Sequence, residues 1–264
     1  MSLLRKPQVF GALIGILLFL LVATAYSGVI FLMSGNAWQQ VQEGRFSLAT
    51  FFFERGNYFF EGDSSYDPVT ALANYKRALA FENSDQKPIH YQIGRIYFIK
   101  GELMRAVFAF NLQLEADPTF MRSYYMRGLT YGYLGEYTKA QDDFKKFLEW
   151  RPDSWAAHND LVWVYFLAGD YDNAEQYARQ GLRHTPANGW LANALGAILI
   201  NQGKPEEARP YLVLAEEAFA TMSPEQWGTA YPGNDPRVYE EGLAASRQSV
   251  AENLQLLHDA TVGE

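Results

Sequence analysis

Four glycines, Gly101, Gly135, Gly169 and Gly203, stand 34 residues apart, and no other feature constrains the fold as strongly. Ala106, Ala140, Ala174 and Ala208 keep the same step, as do Pro118, Pro152 and Pro186, with Ala220 in the next proline slot. Tyr97, Tyr131 and Tyr165 follow it too, with Leu199 in the fourth copy. Gly94, Gly128 and Gly196 form another such set, interrupted by Val162. A unit of this length cannot bury its own apolar face, so copies must stack into a continuous core. The small residues at 94, 106 and their equivalents let two helices approach closely. Gly101 and its equivalents fall where the first helix ends, a position that suits a left-handed residue. The prolines stop the second helix and set the turn into the next unit.

The slots coincide with a W-x2-L-G-x2-Y…A-x3-F…P pattern. The first copy reads His90, Ile93, Gly94, Tyr97, Ala106, Phe110 and Pro118, and the second Tyr124, Arg127, Gly128, Tyr131, Ala140, Phe144 and Pro152. The third reads His158, Leu161, Val162, Tyr165, Ala174, Ala178 and Pro186, and the fourth Ala192, Leu195, Gly196, Leu199, Ala208 and Leu212. On these residues the chain resembles the tetratricopeptide-repeat family over residues 52–222. The resemblance implies an all-α helix-turn-helix solenoid of about five repeats. A degenerate repeat at 52–86 precedes repeats at 87–120, 121–154, 155–188 and 189–222. In the degenerate copy Phe51–Phe60 supplies the first helix and Ala71, Tyr75 and Ala78 the second, with one residue inserted near Asp85-Gln86-Lys87. Residues 223–237, rich in Pro and Gly, are expected to form a loop. Tyr239, Leu243, Ser246, Val250, Leu254 and Leu257 recur at helical spacing and predict a capping helix over 238–260.

Residues 1–7 contain Arg5 and Lys6; Gln8 to Met33 then carries no charge. An apolar run beyond about 18 residues predicts a membrane-spanning helix, here over 8–33. Few basic residues follow it, so the positive-inside bias puts the N-terminus in the cytoplasm and the repeats outside. Ala23-Thr24-Ala25 offers the alternative of a signal peptide cleaved behind Ala25, giving a secreted chain. Gly11 and Gly15 form a GxxxG through which two anchors could approach as a weak homodimer. A connecting helix is expected over 34–51, with Asn36 as its cap and Trp38 near the headgroups.

A net charge of −8 without a basic cluster excludes nucleic acid as the expected partner. The chain has no cysteine and four scattered histidines, so neither thiolate chemistry nor a metal site is expected. No GxSxG, P-loop or Rossmann pattern is present. The sequence therefore predicts a protein-binding scaffold with no cofactor and no enzymatic activity. His90 and His158 occupy the Trp slot and are expected as packed histidines. The Asp142-Asp143 and Glu216-Glu217 pairs are expected on solvated faces.

The first helix of each repeat lines the concave side of such a stack. Positions opposite the core slots then define a groove: Tyr91, Arg95 and Phe98, next Tyr125, Leu129 and Tyr133, next Asn159, Trp163 and Phe166, and lastly Asn193 and Asn201. Arg122 and Trp190 lie at the helix starts on the same side. Exposed Tyr, Trp and Arg dominate binding hot spots, which predicts a groove for an extended peptide or a helix, with Arg95 and Arg122 available to a carboxylate. The competing reading is that these aromatics pack inside the superhelix or under the C-terminal helix. The resemblance implies that Asn159 and Asn193 hydrogen-bond a peptide backbone, as inner-helix asparagines do in some members. The lysines of the co-chaperone members' clamp are missing. A scaffold of this plan would hold a protein or peptide partner at a membrane, in envelope assembly or secretion. The alternative is a structural subunit of a membrane complex, contacting partners through the anchor and first repeat.

Overall fold

A computed structural model describes residues 48–61, 65–81, 87–230 and 238–262. The expected anchor, Trp38 and the Gly11/Gly15 pair lie outside the described residues. Among the described residues no helix is long and apolar enough to cross a membrane.

Twelve helices are described: α1 Leu48–Glu61, α2 Pro68–Ala78, α3 Ile89–Ile99, α4 Leu103–Ala116, α5 Met121–Tyr133, α6 Tyr137–Trp150, α7 Trp155–Leu167, α8 Tyr171–His184, α9 Gly189–Asn201, α10 Pro205–Thr221, α11 Pro224–Ala230 and α12 Tyr239–Val262. The first ten pair as consecutive hairpins, and α3, α5, α7 and α9 contact one another in order, forming the inner layer. The result is an all-α solenoid.

The hairpin turns follow from the phased glycines. Gly101, Gly135, Gly169 and Gly203 have φ of 71°, 75°, 76° and 72°. After α3 the Glu102 amide donates to Tyr97 O and the Gly101 amide to Phe98 O, both at 2.9 Å. This is the two-bond Schellman closure, which satisfies carbonyls the helix end would strand. The same pairs of bonds recur at Gly135, Gly169 and Gly203. Within the hairpins, a Cβ on Gly94 would lie 2.5 Å from the Phe110 ring, so the small residue there is demanded by close approach. Asp67, Ser154, Asp170 and Asn188 cap α2, α7, α8 and α9 through side-chain oxygens.

Three local features differ from, or refine, the sequence reading. Residues 224–230, expected in a loop, form α11. Ser223 and Gln226 make a capping box: the Ser223 amide donates to Gln226 Oε1 at 2.8 Å, and the Gln226 amide donates to Ser223 Oγ at 3.3 Å. Asp143, expected in solvent, is buried, whereas Asp142, Glu216 and Glu217 are exposed. The reason is Arg127, which fills the apolar slot that Ile93, Leu161 and Leu195 hold in the other copies. Its guanidinium takes both Asp143 oxygens, at 2.7 and 2.8 Å, and reaches Asn111 at 2.7 Å. Burial pushes the Asp143 carboxyl up, against the pull of that guanidinium. His158 is a packed histidine as expected, with Nε2 3.0 Å from Pro152 O. Burial lowers its pKa, so the neutral ring donates from Nε2.

The helix α12 does more than cover the last repeat. Leu243, Val250 and Leu257 are buried, and the helix contacts both α10 and the inner helix α9. Arg247 donates to Phe219 O at 2.9 Å and Met222 O at 3.1 Å, satisfying carbonyls at the end of α10. Trp227 of α11 donates its indole N–H to Ser246 at 3.0 Å.

Candidate functional site

The concave face holds a cavity of about 760 Å³. Phe98 of α3 closes one end, α5, α7 and α9 form the floor, and Trp227 with α12 forms the far wall. The 34-residue step explains the floor, because it places the same helical face of each inner helix toward the same side.

Nine of the expected groove residues line this cavity: Phe98, Tyr125, Leu129, Tyr133, Asn159, Trp163, Phe166, Trp190 and Asn193. Phe98, Tyr133 and Trp163 form a chain of rings, with centroids 5.6 and 5.1 Å apart. Tyr133 is 61% exposed at this mouth. Trp190 lies deeper, stacked on Trp155 at 5.0 Å and edge-on to Phe219.

Four expected residues lie outside the cavity. Tyr91 packs against Phe110 and Phe120, and burial raises its pKa. Arg95 is held by Glu61 at 3.2 Å and by Gln92 at 2.8 Å, with its guanidinium 4.6 Å over the Phe60 ring. Arg122 is exposed, and Asn201 donates to Ala197 O of its own helix at 2.8 Å. Asn193, expected to meet a peptide backbone, is engaged by α12. It donates to Ser249 at 3.0 Å and accepts from Asn253 at 2.9 Å. The chain's own helix therefore takes the amide at that end of the groove.

The residue that sequence reasoning missed is Asp160. It is 8% exposed, lines the cavity, and accepts from the Tyr125 hydroxyl at 2.5 Å. Burial raises its pKa to about 6. A signal was present: its equivalents are Gln92, Met126 and Ala194, so no demand of the repeat puts a carboxylate there. Among the described residues no group of His, Cys, Asp and Glu could hold a metal ion.

An inner layer of phased helices around an aromatic cavity defines a helical-repeat scaffold of the kind used for protein interactions. More specifically, it is a tetratricopeptide-repeat array: models of that family match residues 88–120, 125–189 and 165–228. The chain is 34% identical over 83 residues to the tetratricopeptide repeat and J domain-containing co-chaperone DNJ1 of Fusarium oxysporum f. sp. lycopersici, spanning 31% of this chain and 16% of that protein's length. It is 27% identical over 128 residues to the photosystem I assembly protein Ycf3 of Acaryochloris marina, covering 47% of this chain and 76% of that one. Among solved structures it resembles MamA from Desulfovibrio magneticus RS-1 with a TM-score of 0.61 and 17% identity, covering 67% of this chain and 98% of that one. A second MamA structure gives a TM-score of 0.58 at 20% identity, over 66% and 92% of the two chains. At these identities the structural likeness speaks for the fold alone.

Proposed function

We propose that the chain is a membrane-anchored adaptor whose concave cavity holds a segment of a partner protein at the membrane surface. The observation that carries this reading is the line of rings from Phe98 through Tyr133 to Trp163, open at the mouth of a peptide-sized cavity. Aromatic side chains in a concave site give much contact area at low entropic cost. The curated relatives include a co-chaperone and an assembly protein by name, which agrees with an adaptor role in assembling other proteins. The anchor is supported by the uncharged run from Gln8 to Met33, and the side of the membrane by Arg5 and Lys6.

A photo-crosslinking residue at Tyr133, in the native membrane, should give a discrete adduct with one partner. The same residue at Phe108, exposed on the outer helix α4, should not. Equal adducts from both positions, or none from Tyr133, would overturn the groove assignment.

A further inference from the structure

The cavity has an unequal composition. Among the described residues its lining includes one carboxylate, Asp160, several aromatic rings and no lysine, arginine or histidine. Among the described residues the other buried acid has a cation beside it. Asp143, equally buried, has the bidentate Arg127 beside it. Among the described residues Asp160 has the neutral Tyr125 hydroxyl as its hydrogen-bond donor and takes part in no ion pair. A carboxylate removed from water with neutral donors alone is under-compensated, and an incoming cation would restore that loss. The rings of Tyr133 and Trp163 add a second attraction, since a cation over an aromatic face is favourable, more so when desolvated. No repeat-wide packing rule requires the acid, because Gln92, Met126 and Ala194 fill its slot in the other copies.

We propose that Asp160, with Tyr125, Tyr133 and Trp163 around it, forms a recognition pocket for a lysine or arginine side chain of the segment that docks in the groove. The pocket rests on the groove reading and adds to it the chemistry of the occupant. The Asp160 carboxylate supplies the charge, the Tyr125 hydroxyl holds its orientation, and the rings flank the alkyl stem and cationic head. A partner offering an acidic side chain at this register is rejected by like charge in a low-dielectric site.

A displayed library of random linear peptides, panned on the full chain in detergent micelles, supplies the probe. Enriched peptides are resynthesised with each Lys or Arg changed in turn to Gln and titrated by tryptophan fluorescence. One basic residue should carry the affinity, its change to Gln weakening binding about tenfold or more to the native chain. The same change should have little effect on D160N, which still accepts from Tyr125 and should fold normally. The peptide series on the native chain decides the matter even if D160N folds poorly. Peptides that bind through no basic residue, and equally to D160N, would overturn the cation pocket and leave the groove standing. A library that yields no binder, or binders unaffected by Tyr133→Ser with Trp163→Ala, would overturn both.

Discussion

The hydroxyl of Tyr125 donates to the carboxylate of Asp160 at 2.5 Å, joining the inner helices of consecutive repeats. The bond only partly offsets burial, which lifts Asp160 to about 6. The folded chain thus holds that proton more tightly than the unfolded chain, whose aspartate titrates near its ordinary value. Stability from this group is complete at low pH, declines as pH rises through roughly 4 to 6, and is gone above. The shift corresponds to about 3 kcal/mol. Among the described residues no other acid, and no base, lines the cavity; the other titratable groups there are the phenols of Tyr125 and Tyr133. D160N should therefore be more stable than the native chain at pH 7.5, with the gap closing by pH 4. Urea midpoints of the two chains across this range check it, and a gap that widens on acidification contradicts it.

Arg127 and Asp143 should behave as a unit. Changing Asp143 to Ala leaves a partly buried guanidinium unpaired and should cost about 3 kcal/mol. Arg127→Leu with Asp143→Ala approaches the apolar pair seen as Ile93 and Ala109 in the preceding copy, and should recover most of that loss. A double-mutant cycle by chemical denaturation measures the coupling.

The two kinds of glycine should fail differently on substitution. At Gly135 an added Cβ meets nothing within 4 Å, so Gly135→Ala should cost only the left-handed φ penalty, about 1 kcal/mol. At Gly94 the same methyl collides with the Phe110 ring, and the overpacking should cost about 2–3 kcal/mol. Thermal unfolding of both variants ranks them.

Leu243 and Val250 fasten α12 to the last repeat. Leu243→Ala should cost about 2–4 kcal/mol. It should also raise hydrogen exchange in α9 and α10, while α3 and α4 keep theirs, because repeat stability is passed between nearest neighbours. Uniform loss of protection along the stack would show a more cooperative fold.

The absence of cysteine makes the proposed membrane topology directly measurable. A single exposed Lys139→Cys should react with an impermeant maleimide from outside intact cells. Labelling only after lysis would place the repeats in the cytoplasm.

The period alone determined much about this protein. It identified the hairpins, the left-handed glycines from Gly101 to Gly203 and the cavity floor on α5, α7 and α9, because equivalent neighbours recur at identical spacing. The burial of Asp143 and the burden on Asp160 could be read only against the other copies, as departures from the repeat in one place each. What the tertiary structure alone decided is the far wall. Asn253 reaches Asn193 across 60 residues, and Arg247 reaches the end of α10. Those contacts depend on how far the stack curves and on the angle at which α11 returns α12. A periodic sequence encodes the packing of each unit on the next, but a segment outside the repeat has its place set by the whole surface it meets.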